Sequence, residues 1–258
     1  MKPVERGEQR LNSYELVAYS RPQSFTTESF RTLRTNLQFL GVGDSLKTVL
    51  IAGSGFGEGA SFITANLGIV FAQAGQRVII VDCDLRKPRQ HLIFNLDNQL
   101  GLTSVLSGFK EPEQVIKDIP IAGVRLLTAG LLPTNPAELL GSREMSRLVS
   151  ALKEKADVIL LDGSPLTVFA DAAILSKSVD GVLMVVRSRV ASQNSVTNTR
   201  ELLTNAKASI LGVALNCARM DALKDDYQAY YANAAGVPRQ KKKKAEKPRK
   251  AEEKKQAK

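Results

Sequence analysis

The sequence predicts an α/β protein built on a doubly wound, mostly parallel sheet. Five or six short runs rich in Val, Ile and Leu recur along the chain, and strands this uniformly apolar are buried on both faces. Segments with helical periodicity separate them, as crossovers between parallel strands require. The first apolar run ends in Gly53, Gly55, Gly57 and Gly59 and passes straight into a helical pattern. That is the layout of a loop whose backbone N–H groups wrap a phosphate at a helix N-terminus. In such sheets ligands bind beyond the carboxyl ends of the strands.

The elements follow in order. Residues 1–23 are polar, lack periodicity and read as an extended arm. Thr26 or Thr27 is placed to cap a helix running to about Leu40, with Phe30, Leu33, Leu37 and Leu40 as one apolar stripe. Glu28, Arg31 and Arg34 fall beside that stripe, on a face that is either solvated or a contact surface. A strand is expected over 48–52, a helix over 61–74 stopped by Gly75, and a second strand over 77–81. Short helical pieces near Ser104 and over 113–117 precede a further strand over 124–127. Pro136 opens a helix to about Lys155, with Asn135 as its cap. Strands over 158–161, 182–186 and 210–215 alternate with helices over 171–177 and 195–205. This gives a nucleotide-binding domain over 24–222, a tyrosine-containing tail over 223–238 and a disordered Lys-rich tail over 239–258.

Composition excludes several classes. No apolar run approaches the ~20 residues of a membrane helix, and the polar start Met1-Lys2-Pro3-Val4-Glu5-Arg6 has no leader-like apolar core. Two cysteines, Cys83 and Cys217, and one histidine, His91, support neither a disulfide framework nor a zinc site. A cytoplasmic setting is therefore expected. The net charge of +10 is concentrated: residues 239–258 carry 11 Lys/Arg and 3 Glu, leaving +2 for the rest. That run reads as a solvated tail, with an anionic membrane surface as the alternative and nucleic acid not expected.

Three strand ends carry chemistry. Residues 53–61 hold the small residues that let backbone approach phosphate closely. The strand Ile79-Ile80-Val81 runs into Asp82-Cys83-Asp84, followed by Arg86 and Lys87. Carboxylates in that position hold Mg²⁺ directly or through water, or take a proton from a hydroxyl. A helix cap with an ion pair to Arg86 is the alternative. The strand over 158–161 ends in Asp162, the arrangement in which an aspartate reaches the Mg²⁺ shell. All three converge only in a parallel sheet.

With these residues in hand the chain resembles the cytoplasmic bacterial tyrosine kinases of capsule and exopolysaccharide synthesis. These form the CpsD/CapB-like group within the MinD/ParA/Mrp-like (SIMIBI) P-loop class. The resemblance runs from about Ser20 to Tyr231. It rests on Glu28-x-x-Arg31-x-x-Arg34, on Gly57-Glu58-Gly59, and on Asp82-x-Asp84-Leu85-Arg86-x-Pro88-x-x-His91. Gly101-Leu102-Thr103, Asn135-Pro136-x-Glu138-Leu139-Leu140, Asp171-Ala172, Leu215-Asn216 and the tyrosines 227, 230 and 231 add to it. The resemblance implies ATP or ADP with Mg²⁺ held by Gly55, Phe56, Gly57, Glu58, Gly59, Ala60, Ser61, Phe62 and Arg86, with Asn216 at the adenine. It implies Ser61, Asp84 and Asp162 around the metal, and Asp82 as base toward the tyrosine hydroxyl. It further implies autophosphorylation of Tyr227, Tyr230 and Tyr231 between subunits of a homo-oligomeric ring joined through Glu28, Arg31 and Arg34. A membrane-embedded co-polymerase-like activator and a place at the inner face of the membrane complete the expectation.

The match departs at one position. Ala60 stands where a P-loop carries its lysine, so the charge that reaches the β- and γ-phosphates is missing. Arg86 or Lys87 are the nearby candidates to replace it in part. Phe62 stands at a second hydroxyl position and Ser164 at a proline position. Ala60 favours a nucleotide-binding scaffold of the same machinery. Asp82, Asp84 and Asp162 favour an active kinase. A ParA/MinD-like ATPase is the third reading, and the 53–61 loop lacks that branch's extra lysine.

Overall fold

The computed structural model describes residues 16–219 together with Tyr227 and Tyr230. The chain divides into two units, Met1–Arg219 and Met220–Lys258. In the second, Tyr227 and Tyr230 are helical and Tyr230 is exposed. Tyr231, residues 1–15 of the expected arm and the expected Lys-rich tail at 239–258 lie outside the described residues.

Among the described residues the first unit holds one seven-stranded sheet. Its strands are β1 (Thr48–Gly53), β2 (Val78–Asp82), β3 (Lys117–Asp118), β4 (Val124–Leu127), β5 (Val158–Gly163), β6 (Gly181–Arg187) and β7 (Ile210–Asn216). They lie in the order β3-β4-β2-β5-β1-β6-β7, parallel throughout except that β3 runs against β4 at one edge. β5 is thus inserted between β1 and β2. The register sets Asp82 beside Asp162 at adjacent strand ends.

Alternation along the central strands divides the core in two. Val49, Ile51, Ile80 and Leu160 face the helix Ala60–Gln73 and the first long helix, Phe25–Phe39, which contributes Phe30 and Leu37. Leu50, Ile79 and Leu161 face the other layer, with Leu148 and Leu152 from the helix Arg143–Lys153. Each fully buried Leu or Ile contributes roughly 1.5–3 kcal/mol. The helix Ala60–Gln73 is apolar nearly all round because sheet and helix Phe25–Phe39 cover it from both sides.

The structure departs from the expected elements at several points. The first long helix begins earlier, at Phe25, because Ser24 caps it by accepting from Thr27 N–H at 3.2 Å. Thr27 is buried instead and donates its hydroxyl to Arg21 C=O at 2.7 Å. That helix stops at Phe39, so Leu40 leaves the apolar stripe and is half exposed. The arm is not extended throughout: Val17–Ser20 forms a helical turn. It is docked on the helix Ala60–Gln73, where Ala18 N–H donates to Asn66 Oδ1 at 2.9 Å and Leu16 is fully buried. The helix expected from Pro136 is two, Pro136–Leu140 and Arg143–Lys153. Ser142 between them starts the second by accepting from Met145 N–H at 3.1 Å, while the Asn135 side chain caps nothing.

Candidate functional site

A cleft of about 600 Å³ opens over the carboxyl ends of the central strands. The loop after β1 forms one wall, Asp84, Arg86, Lys87 and Arg89 form another, and Pro165 and Phe169 after β5 form a third.

The glycine loop is held from beneath. Ser54 N–H donates to Val185 C=O and to Glu58 Oε2, both at 2.9 Å, and the Ser54 hydroxyl lies 2.8 Å from both Glu58 oxygens. The Glu58 carboxylate is buried under the loop, so this residue offers the cleft its backbone rather than its charge. Asn216 Nδ2 donates to Glu58 C=O at 2.8 Å, and Arg187 donates to Gly57 C=O at 3.2 Å. Gly57 and Gly59 adopt φ of +70° and +91°. A Cβ on Gly59 would sit 2.2 Å from Asn216 Nδ2, so glycine is required there twice over. Gly59 precedes the helix Ala60–Gln73 without a side-chain cap, which leaves the helix N-terminus to an anion. Ala60 and Ser61 line the cleft at that terminus. Phe62 also touches it, while its ring packs 5.7 Å from that of Phe30.

The three aspartates differ in exposure. Asp84 lines the cleft, with Oδ1 accepting from the N–H groups of Arg86 at 3.2 Å and Lys87 at 3.0 Å. Asp82 and Asp162 are fully buried beneath it. Asp82 Oδ2 accepts from Arg89 N–H at 3.1 Å and Gln90 N–H at 2.9 Å. Asp162 Oδ2 accepts from Gln90 Nε2 at 2.8 Å, and its carboxylate also bonds the Ser61 side chain. Burial first, and the neighbouring negative charge of Asp162 second, hold Asp82 well above the usual carboxylate range. Burial likewise raises Asp162, to about 7. Asp82, expected as the base, therefore does not face the cleft, and Asp84 does.

Among the described residues Asp82 Oδ1 and Asp162 Oδ1 are buried without a hydrogen-bond partner. Orphaned carboxylate oxygens below a phosphate loop fit a hydrated Mg²⁺, which takes one or two carboxylates and fills its shell from water and phosphate. No cluster of three or more His, Cys, Asp or Glu able to hold a metal occurs among the described residues. For the nucleotide, the amide cradle fits and the lysine charge is absent.

Arg86 does not stand free to replace that charge. Its Nε and one terminal nitrogen bond the two oxygens of buried Asp171 at 2.6 and 2.9 Å. Its guanidinium lies 4.2 Å over the Phe169 ring, and Phe169 meets Phe56 edge-on at 5.9 Å. Sequence reasoning missed Phe169 and Gln90, and gave Asp171 no role.

The structure does not bring Glu28, Arg31 and Arg34 to the cleft. Arg31 pairs with Glu28 at 2.9 Å and donates to Pro22 C=O, and Arg34 donates to Val70 C=O at 2.8 Å. They sit on the helix that backs the Ala60–Gln73 helix.

A family model described as ParA, NUBPL iron-transfer P-loop NTPase, matches residues 45–247. The tyrosine-protein kinase YwqD of Bacillus subtilis (strain 168) is 37% identical over 216 residues, 84% of this chain and 90% of that protein. The solved structure of the chimerical protein CapA2B2 is similar at a TM-score of 0.75 and 35% identity, over 80% of this chain and 90% of that one. The kinase domain of the Escherichia coli tyrosine kinase ETK is similar at a TM-score of 0.77 and 28% identity, over 85% of this chain and 87% of that one.

Proposed function

Because the chain belongs to the bacterial tyrosine kinases of capsule and exopolysaccharide synthesis, within the ParA-like P-loop NTPases, we propose that it binds ATP with Mg²⁺ in its 53–61 loop and transfers phosphoryl groups slowly to tyrosine. The observation that carries this reading is that the loop after β1 and Asp84 after β2 line one cleft, while Asp162, buried in β5, bonds Ser61 of that lining.

In this reading the backbone N–H groups of residues 55–61 bind the polyphosphate, and Asn216 flanks the base. The Ser61 hydroxyl, Asp84 and Asp162 hold Mg²⁺, whose charge offsets that developing on the phosphoryl oxygens. Asp82, the base that the resemblance implied, is buried beneath the cleft with its Oδ2 fixed by two N–H donors, so it does not itself meet a hydroxyl there. Asp84 is the carboxylate placed to meet an incoming hydroxyl in the cleft. The acceptors are Tyr227, Tyr230 and Tyr231. Ala60 costs the reaction about 2–4 kcal/mol if the missing charge acts like a lost oxyanion donor.

A second reading, a nucleotide-binding scaffold without transfer, is favoured by Ala60 together with the commitment of Arg86 to Asp171. Either protein regulates polysaccharide polymerisation from the inner face of the membrane. It does so by docking on a membrane-embedded co-polymerase and assembling into a ring through Glu28, Arg31 and Arg34. The domain limits 24–222 and 223–238 belong to this proposal, as does a Lys-rich tail at 239–258 resting on anionic lipid. Among the described residues no helix is long and apolar enough to cross a membrane.

The test is calorimetric titration with ADP and ATP, with and without Mg²⁺, followed by peptide-level mass spectrometry after incubation with ATP·Mg²⁺. Binding with added phosphate on residues 223–238 supports the kinase. Binding without phosphate, even with an activator's cytoplasmic segment present, supports the scaffold. No nucleotide binding at all sinks both.

A further inference from the structure

Gln90 touches all three segments that make the site. Its backbone N–H donates to Asp82 Oδ2 at 2.9 Å, at the end of β2. Its side-chain Nε2 donates to Asp162 Oδ2 at 2.8 Å, in β5, and to Ser61 C=O at 3.1 Å, in the first turn of the helix Ala60–Gln73. The residue is fully buried. Both side-chain partners are acceptors, so the amide nitrogen must face them, and the orientation of the group follows from chemistry. Its Oε1 is buried without a partner among the described residues.

We infer that Gln90 is the positioning residue for the metal-dependent part of nucleotide binding: it fixes one oxygen of Asp162 against the Ser61 turn and leaves the other to the metal shell. This rests on the nucleotide reading above.

The residue type suits the task. Asp82 and Asp162 lie side by side in register, and two carboxylates there need donors that add no charge. A lysine or arginine would neutralise the pair and compete with a cation. An apolar residue would leave Asp162 Oδ2 with one donor fewer and the carboxylate held by the Ser61 side chain alone. A neutral amide holds the geometry while preserving the negative charge that attracts the metal. Partners that orient a metal ligand in this way typically change metal affinity about 10–100-fold when removed.

The experiment measures ADP affinity by calorimetry with and without Mg²⁺ on the full chain, on Gln90→Met and on Gln90→Lys. The quantity read is the ratio of the two affinities, which damage to the fold or to the phosphate loop alone does not move. Gln90→Met removes the side-chain donor at nearly constant volume. Gln90→Lys keeps a donor and adds the competing charge, so it carries the test if Gln90→Met does not fold. Both variants are expected to lower the Mg²⁺ ratio about tenfold or more relative to the unaltered chain. A ratio equal to that of the unaltered chain in either folded variant overturns the inference. An unaltered chain whose ADP binding gains nothing from Mg²⁺ overturns the metal reading itself, and the inference with it.

Discussion

Arg86, on the cleft wall, forms a two-point ion pair with buried Asp171, with Nε–Oδ2 at 2.6 Å and the second contact at 2.9 Å, and the carboxylate is 1% exposed. The planar fork fits a carboxylate on two bonds, as an ammonium cannot. A cation that stands at the phosphate loop is thereby assigned to holding the Phe169 segment.

Removing the arginine leaves a buried charge without its partner, which costs more than the pair contributes. Arg86→Met should lower stability by about 1–3 kcal/mol, the figure being reduced because the guanidinium is about a third exposed. Asp171→Asn should cost less. Urea unfolding of both single variants and of the double variant checks this, and a double variant as unstable as the sum of the two would show that no coupling exists.

The buried pair Asp82 and Asp162 makes stability depend on pH. Both carboxyls are raised by burial, so folding favours their protonated forms. The contribution of Asp162 is fully present below the unfolded value of about 3.9 and is lost as pH rises through about 7, and that of Asp82 has the same sign. The metal-free protein should therefore lose Tm from this source between about pH 4 and 7, and Asp162→Asn should flatten that slope. Thermal unfolding in EDTA across this range measures it, and identical slopes for the two proteins would contradict the assignment.

Glu58 supports the phosphate loop from below. Glu58→Ala leaves buried Ser54 N–H with one acceptor fewer and its hydroxyl unpaired, a loss of about 1–3 kcal/mol. ADP affinity should fall with it, because the amides of residues 55–59 lose their fixed directions. Calorimetry on Glu58→Ala and Glu58→Gln separates the contributions: the amide variant keeps an acceptor and should retain most of the affinity.

Much of this site is legible in the sequence because its chemistry sits at the ends of apolar runs. The strand ends at Gly53, Asp82 and Asp162 announce themselves by the abrupt change from Val, Ile and Leu to polar residues. Gln90 does not, since it lies in the polar run Arg86-Lys87-Pro88-Arg89-Gln90-His91, which reads as solvent-facing. Its burial follows from the turn that folds this run back over Asp82. The Arg86–Asp171 pair joins residues 85 positions apart, and no local pattern carries such a contact. The helix break at Gly141 and Ser142 is hidden because Leu140, Met145, Leu148 and Leu152 are all buried on the same layer. β3 has two residues, too few for any period.

On the proposed function this is a tyrosine-kinase site short of one charge, at Ala60. The most direct test is the initial rate of tyrosine phosphorylation, read by intact mass with saturating ATP·Mg²⁺, for the chain and for Ala60→Lys. A deficit of 2–4 kcal/mol corresponds to a rate ratio on the order of 10²–10³ in favour of the lysine variant. Equal, measurable rates would contradict the claim, because the loop would then need no lysine.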